Sequence, residues 1–295
     1  MTSPSVTITI DELASRIEAL ASAPAGTAVG SDAERVVDAM LDALERGEIR
    51  AAERSTDGSW NAVPWVKRGI LLGFRVGRVV PMPDEGHGDA LDRPAAFFDK
   101  HTYPPRALTL RHGVRVVPGG TSIRRGAFVA PGVVCMPPAY VNVGAYIGAG
   151  TMVDSHALVG SCAQIGERVH LSAAAQIGGV LEPVNASPVV IEDDAIVGGN
   201  CGVYEGTVVR ARAVLAAGVV LTRGTPVFDL VHERVYRAQG GKPLEIPAAA
   251  VVVPGARAVR SAWGGAEGLS LQTPVIVKYR DEKTDLATAL EQWLR

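Results

Sequence analysis

An aspartate and a histidine lie two positions apart in the stretch "MVDSHALVG", which contains Asp154 and His156. A carboxylate or an imidazole within hydrogen-bonding reach of a reacting group can accept its proton. Upstream, Arg115 in "VRVVPGG" offers the planar fork that binds a carboxylate through two parallel hydrogen bonds. Residues of these three types are what a site needs if it binds a carboxylate of the substrate and accepts a proton from it. The simpler interpretations are a turn aspartate bonded to its own backbone, an exposed turn histidine and a surface cation.

Three further kinds of group complete the set of candidates. Glycine-rich turns can present backbone N–H groups to an oxyanion, and Gly178 and Gly179 in "IGGVLEP" are the candidates for that role. His170 in "VHLS" is expected to pack or to bond the backbone rather than to react. The cysteines show neither CxxC nor Cys/His ligand spacing, so no bound metal is predicted. They are Cys135, Cys162 and Cys201.

The elements that must position these residues follow a period of six. The repeated slot holds an aliphatic residue or a cysteine: Val117, Ile123, Val129, Cys135, Val141, Ile147, Val153, Val159, Ile165, Leu171 and Ile177. The residue two places earlier is mostly small. A short strand and a tight turn, repeated three times per coil, predict a mainly β protein built as a three-sided parallel coil. Arg115 falls in a position that otherwise takes a small inward residue, which predicts a departure from the regular coil.

The period breaks once and then resumes. Its second run is Ile191, Val197, Val203, Val209, Leu215 and Leu221, and the two runs together give between five and six coils. The gap of fourteen residues after Ile177 equals two repeats plus two residues, which predicts a loop that bulges out near Pro183 to Pro188. Loops carried on a rigid scaffold often hold functional residues.

The flanks have other patterns. Residues 1–105 are expected to form a mainly helical domain and a proline-rich connector, residues 106–225 the coil, and residues 226–295 a cap made of a hairpin, a strand and a helix from Lys283 to Leu294. The flanks are expected to cover the open ends of the coil, where strand edges would be unpaired. Trp60 and Trp65 are expected to anchor the helical part rather than to stack on a ligand.

The bulk composition excludes several classes of partner. Lys and Arg number 29 against 31 Asp and Glu, which gives no field suited to nucleic acid or an anionic membrane. No run of residues resembles a signal peptide or a membrane span. We therefore expect a cytoplasmic protein with a small-molecule partner.

Several motifs make the pattern specific. In order along the chain they are "ERGEIRAAE", "VPWVKRGILLGFR", "VRVVPGG", "MVD", "VGSCAQIG", "VHLS", "IGGVLEP" and "PVIVKYR". This series closely resembles the 2,3,4,5-tetrahydropyridine-2,6-dicarboxylate N-succinyltransferase family over roughly residues 40 to 280. The resemblance implies a left-handed parallel β-helix, a homotrimer with active sites in the grooves between neighbours, and succinyl-CoA as acyl donor. It also implies the open-chain acceptor 2-amino-6-oxopimelate.

The resemblance assigns roles to individual residues. Asp154 matches the family's catalytic and substrate-binding aspartate, and Arg115 matches its substrate-binding arginine. Lys278 is a candidate for binding the CoA phosphates, its alternative being a solvated lysine at a strand end. A direct transfer of this type needs neither a metal nor a cysteine nucleophile.

Two departures from the family pattern lie close to these residues. The family commonly reads "DTW" where this chain reads "DSH", so His156 replaces an indole. It reads "GARSEVVEG" where this chain reads "GGNCGVYEG", so Gly202 replaces an active-site glutamate. Either Glu205 or His156 compensates and succinylation is retained, or the donor is acetyl-CoA or another acyl-CoA. A third alternative is a paralogue of the tabtoxin-biosynthesis type that acylates a related amino diacid, and a fourth is a non-catalytic paralogue.

Overall fold

Three helices form most of the N-terminal part of the chain. The computed structural model describes residues 8–24, 31–82 and 97–281, so the helix expected from Lys283 to Leu294 lies outside them. The helices are α1 (Ile10–Ala21), α2 (Ser31–Glu45) and α3 (Pro64–Val76). The Thr9 hydroxyl accepts from Glu12 N and caps α1, and Pro64 fits the first turn of α3, where no N–H partner is needed. None of the described helices has the length and apolar character to cross a membrane.

Two short antiparallel ribbons accompany the helices. The first, which we call the N-terminal hairpin, pairs β1 (Ala52–Arg54) with β2 (Trp60–Ala62) around a turn at Asp57-Gly58. The Asp57 carboxylate accepts from the backbone N–H of Ser59 and so holds the turn. The second ribbon pairs β3 (Val79–Met82) with β4 (Phe97–Lys100).

A three-sided parallel coil forms the body of the molecule, as the period of six predicts. Its strands are β5 (Arg115–Val116), β6 (Ser122–Ile123), β7 (Phe128–Val129), β8 (Val134–Cys135), β9 (Tyr140–Val141), β10 (Tyr146–Ile147), β11 (Met152–Val153), β12 (Leu158–Val159), β13 (Gln164–Ile165), β14 (His170–Leu171), β15 (Gln176–Ile177), β16 (Val190–Ile191), β17 (Ile196–Val197), β18 (Gly202–Val203), β19 (Val208–Val209), β20 (Val214–Leu215) and β21 (Val220–Leu221). Successive strands belong in turn to three sheets, which we call the first, second and third faces, beginning with β5 in the first. The first edge joins the first face to the second, the second edge joins the second to the third, and the third edge joins the third to the first.

The repeated aliphatic slots point inward and fill the coil. The slots from Val141 to Leu221 are all fully buried, and the small residues two places earlier pack beside them. One slot differs from the prediction. Val116 rather than Val117 pairs with Cys135, so the first rung begins one residue earlier than the repeat extrapolates. Arg115 therefore occupies the outward position beside Val134, not the small inward position.

Both long interruptions of the coil occur at the second edge. Strand β15 lies in the second face and β16 in the third, so the fourteen residues from Ile177 to Ile191 replace one ordinary step of six and add eight, rather than two repeats plus two. The second interruption follows β21 in the second face. It contains the hairpin of β22 (Val227–Asp229) and β23 (Arg234–Tyr236), and it rejoins the third face at β24 (Glu245–Ile246).

The coil continues beyond residue 225. After β24 comes β25 (Ala250–Ala258), whose first residues pair with β20 and complete a further rung of the first face. Strand β25 then pairs with β26 (Ser270–Tyr279) across the short helix α4 (Ala262–Ala266). These elements cover the end of the first face. The division of the chain into three domains stays a prediction.

The helical part packs against the second edge of the coil. Val143 and Cys162, which lie in turns at that edge, belong to the same buried cluster as the cores of α1, α2 and α3. Lys67 of α3 is fully buried, and its Nζ donates to Ala186 O in the first of the two loops. Burial lowers the pKa of the Lys67 ammonium group. This contact ties α3 to the loop that the sequence predicts to be functional.

Candidate functional site

Asp154 lies at the first edge of the coil, directly after β11. Its Oδ1 accepts a 2.7 Å hydrogen bond from Ser155 N, which is the local bond that a turn aspartate is expected to make. Its Oδ2 lies 3.8 Å from the Nε2 of His170, and 30% of the side chain is exposed. One carboxylate oxygen therefore stabilises the turn. The other oxygen faces the neighbouring rung and can accept a proton.

His170, which was expected from the sequence to pack or to bond the backbone, lies beside Asp154 in the structure. It is the outward residue of β14, directly opposite Met152 of β11. One coil is eighteen residues long at this point, so the residue that stacks on Met152 in the next rung is His170. Residues eighteen apart occupy the same position in neighbouring rungs, so the sequence alone could have shown that His170 lies next to Met152 and near Asp154.

His156 occupies the turn after Asp154 in a left-handed conformation, with φ of 62°. Its backbone N donates to Pro138 O at 2.5 Å and its carbonyl accepts from the side-chain amide of Gln176 at 3.1 Å. The residue is exposed. Its backbone therefore holds the turn, and its ring lies at the first edge, next to Asp154 in sequence.

Arg115 and Lys278 lie on the same sheet as Asp154. The Arg115 strand, β5, is separated from β11 by one strand, so the two strands are about 10 Å apart. Arg115 is exposed, and it belongs to the outward row that also contains Met152 and His170. Lys278 of β26 is at the far end of the same sheet, with its Nζ 3.8 Å from Asp281 Oδ1. An elongated ligand lying along the first face can pass all three positions.

The remaining candidates lie at a different edge. Glu205 is exposed in a turn at the second edge, and its Oε2 accepts from Arg223 N at 2.9 Å. Gly178 and Gly179 begin the loop at the same edge. Gly178 N donates to Val203 O at 2.8 Å, so of the two glycines Gly179 has the N–H that is better placed to donate to an oxyanion, and the role of Gly178 stays a prediction. Gly179 stays a candidate. Within one chain, Glu205 does not meet Asp154.

Tyr204 fills the space at the position of the sequence departure. A Cβ atom built on Gly202 would lie 2.9 Å from both Cζ and Oη of Tyr204, which is closer than real Cβ contacts allow. The same ring lies 2.8 Å from a Cβ built on Gly178. The aromatic ring therefore rests over two glycines of the second face. The contact between Tyr204 and Gly202 was not expected from the sequence. The signal for it is Tyr204 itself, which stands where the family pattern has a valine.

The three cysteines lie in the interior of the molecule. All three thiols are buried, and burial raises the pKa of both Cys135 and Cys162 to about 12, which keeps these thiols protonated. Cys135 and Cys201 lie in the core of the coil as expected. Across residues 8–24, 31–82 and 97–281, no group of three His, Cys, Asp or Glu side chains is placed to hold a metal ion.

Comparisons with known proteins agree with the motifs. Residues 11–76 match the family model described as "Tetrahydrodipicolinate N-succinyltransferase N-terminal", and residues 188–223 match "Hexapeptide repeat of succinyl-transferase". A protein of Nitrobacter hamburgensis named 2,3,4,5-tetrahydropyridine-2,6-dicarboxylate N-succinyltransferase is 40% identical over 273 residues, 91% of this chain and 92% of the relative. A protein of the same name from Polynucleobacter asymbioticus is 42% identical over 265 residues, 90% of each chain.

A solved structure supports the fold. It comes from Campylobacter jejuni, is described as a 2,3,4,5-tetrahydropyridine-2-carboxylate N-succinyltransferase, and aligns with a TM-score of 0.50 at 17% identity. The alignment covers 82% of this chain and 62% of that structure. With the hexapeptide match, it confirms the predicted fold class, a left-handed parallel β-helix with an N-terminal helical domain. Because the two relatives are 40% and 42% identical to this chain over 91% and 90% of its length, the chain belongs to the 2,3,4,5-tetrahydropyridine-2,6-dicarboxylate N-succinyltransferase family.

Proposed function

We propose that the chain is an acyl-CoA-dependent N-acyltransferase that succinylates the open-chain form of tetrahydrodipicolinate, 2-amino-6-oxopimelate, in diaminopimelate and lysine biosynthesis. The observation that carries the proposal is the Asp154 carboxylate, with one oxygen bonded to Ser155 N and the other facing His170 at the first edge. The names of the relatives support the choice of reaction. A cytoplasmic location stays a prediction.

The chemistry of acyl transfer assigns a role to each candidate residue. Only a neutral amine attacks a thioester carbonyl, so the acceptor's α-ammonium group must lose a proton, and Asp154 Oδ2 accepts it. Attack of the amine forms the N–C bond of a tetrahedral intermediate, whose collapse breaks the C–S bond; the attacking nitrogen loses a second proton and the leaving sulfur gains one, so CoA is released as the thiol. Arg115 binds an acceptor carboxylate through its fork. Gly179 N–H is the candidate donor to the oxyanion, and Lys278 is the candidate for the CoA phosphates.

We also propose that the active form is a homotrimer with sites shared between chains. Asp154 lies at the first edge, whereas Glu205 and Gly179 lie at the second edge, and a neighbouring coil could bring the two edges together. Mixing Asp154→Asn chains with Glu205→Gln chains tests this arrangement. If Glu205 takes part and the site is shared, random mixing restores about one quarter of the sites in a closed ring of three. If both residues served the same site from one chain, no activity would return.

A second candidate donor is favoured by the Tyr204 ring. A carboxylate at position 202 would have to displace this ring, so the second face presents a neutral phenol where the family pattern has a negative charge. Loss of that charge alters the surroundings of an acyl group that itself carries a carboxylate, such as succinyl. The family pattern associates succinyl transfer with a carboxylate at position 202, and this chain has the Tyr204 ring there instead, so acetyl transfer to the same or a related amino diacid is the alternative activity.

One assay separates these possibilities. Thiol release is measured in parallel from succinyl-CoA and acetyl-CoA, with tetrahydrodipicolinate and with the stable acceptor 2-aminopimelate, and Asp154→Asn serves as the blank. Turnover with succinyl-CoA that disappears in the blank supports the proposal. Preference for acetyl-CoA supports the alternative donor, and absence of turnover with both donors supports a different amino diacid or a non-catalytic paralogue.

A further inference from the structure

A cavity lies between the N-terminal hairpin and the third face of the coil, at the third edge. Its volume is about 320 Å³. Tyr146 and Gln164 of the third face form its floor, Trp60 of the hairpin forms a wall, and Asp193 stands at the rim. The third face is opposite the first edge of the same coil, so this cavity is separate from the site around Asp154. We call it the hairpin pocket.

Arg50 is the central group of the hairpin pocket. Its guanidinium carbon lies 3.6 Å from the centroid of the Tyr146 ring and 5.4 Å from that of Trp60, and its Nε donates to Gln164 Oε1 at 2.9 Å. Gln164 is 1% exposed, and its own amide nitrogen donates to Cys162 O at 2.9 Å. The guanidinium plane is therefore fixed by a stack and by a buried hydrogen bond before any ligand arrives.

No carboxylate of the described residues is directly paired with the terminal nitrogens of Arg50. Within the parts of the chain that the structure describes, no carboxylate forms a direct ion pair with Arg50, whose side chain is half-buried, and Glu53 and Asp193 interact with it only at longer range. Burial also lowers the pKa of this guanidinium, in the direction expected for a desolvated cation. A half-buried guanidinium with no directly paired carboxylate can accept one from a ligand, and its planar fork matches a carboxylate. The pocket therefore contains the cationic partner that a ligand carboxylate would bind.

Three acids line the pocket, Glu167, Glu192 and Asp193, and the carboxylate of Glu167 already accepts from Arg168 Nη1 at 2.7 Å. Glu192 is neutralised: its oxygens accept from Trp60 Nε1 at 2.9 Å, from Arg210 Nη1 at 2.8 Å and from Ala211 N at 3.0 Å. Burial would raise the pKa of Glu192, but these hydrogen bonds outweigh it and lower the pKa. Asp193 instead is exposed at the rim, with Oδ1 bonded to Glu167 N, and it is close enough to interact electrostatically with Arg50.

A ligand that satisfies both ends must carry both charges. We propose that the hairpin pocket binds a free α-amino acid as its zwitterion, with the carboxylate on the fork of Arg50 and the ammonium group towards Asp193. Asp193 at the rim disfavours phosphates and other multiply charged anions, and Arg50 at the centre disfavours simple cations. The aromatic wall provides contact for a side chain. This inference does not depend on the proposed function.

Binding of single amino acids to the full chain tests the proposal. L-leucine, L-lysine, L-glutamate and L-phenylalanine are titrated separately by calorimetry and by saturation-transfer NMR, together with the methyl ester and the N-acetyl derivative of the best binder. We expect saturable binding of at least one amino acid at millimolar concentration or below. The ester, which lacks the carboxylate, and the N-acetyl form, which lacks the ammonium group, should each bind at least about tenfold more weakly.

Variants assign the binding to this pocket. Arg50→Gln should weaken binding by about tenfold or more, and Asp193→Asn by several-fold, since asparagine keeps the oxygen that accepts from Glu167 N. Arg46→Gln is the matched control, because Arg46 is exposed four residues earlier and is bonded to Glu48 outside the pocket. Absence of saturable binding by any of the four amino acids overturns the proposal. So does unchanged affinity in both pocket variants, or equal affinity for the N-acetyl derivative.

Discussion

Replacing Asp154 with asparagine separates the two interpretations of this residue. Asparagine keeps an oxygen that can accept from Ser155 N, so the turn at the first edge is preserved. It cannot accept a proton from an amine. If Asp154 is the general base, kcat/KM for thiol release falls by about 10² to 10⁴, which corresponds to roughly 3 to 5 kcal/mol of transition-state stabilisation.

Alanine at the same position provides the comparison. Asp154→Ala loses the proton acceptor and also the 2.7 Å bond to Ser155 N, a bond whose net contribution is about 1 kcal/mol. We therefore expect both variants to be inactive, while only Asp154→Ala melts lower than the parent, by about 2 °C. The assay is thiol release with a parallel thermal melt of each variant. If Asp154→Asn keeps turnover within about threefold of the parent while Asp154→Ala is destabilised, Asp154 is a structural turn residue and the catalytic reasoning is refuted.

Further predictions concern other parts of the molecule. Burial raises the pKa of Asp229, but hydrogen bonds from Tyr279, His232 and Val231 N outweigh it and lower the pKa to about 2. The stabilisation from this carboxylate is thus present above its ordinary pKa of 3.8 and is lost as pH falls through the folded-state value, so the melting difference between the parent and Asp229→Asn should shrink between pH 5 and pH 2. Gly202→Glu alone should reduce stability and activity because the new side chain meets the Tyr204 ring, whereas Gly202→Glu with Tyr204→Val should regain stability and shift the ratio of succinyl to acetyl turnover towards succinyl; an unchanged ratio in a stable double variant would exclude this face from donor selection. The three buried thiols should resist alkylation in the native protein at pH 8 and react only after unfolding, as mass spectrometry can measure, and rapid native labelling of Cys162 would contradict its burial.

The coil was predictable because each rung obeys the same local rule. A single inward residue and a small neighbour fix each strand, so the slots from Ile123 to Leu221 follow from the spacing alone. The rule fails where the chain leaves the coil. The first rung is displaced to Val116, and the rungs at Ile246 and Val252 follow an interval of 25 residues that carries no phase.

The site was less predictable than the coil, for a physical reason. Slot arithmetic identifies residues on neighbouring rungs, and it would have paired His170 with Met152 beside Asp154. It does not report which groups are already bonded, so the use of Gly178 N by Val203 O was invisible in the sequence. Nor does it show a ring folding over its own strand, as Tyr204 does over Gly202. The hairpin pocket depends on Arg50 and Trp60 of the N-terminal part meeting the third face, which no local pattern records.

Both long interruptions leave the coil after the second face and rejoin it at the third. The rungs before and after each interruption stack in register, so the inserted length has no effect on the repeat that follows. The second edge is therefore a place where segments can be lengthened, shortened or exchanged during evolution without a change in the coil. A peptide or a small domain could be inserted there by design, while the first edge, where Asp154 lies, keeps its spacing.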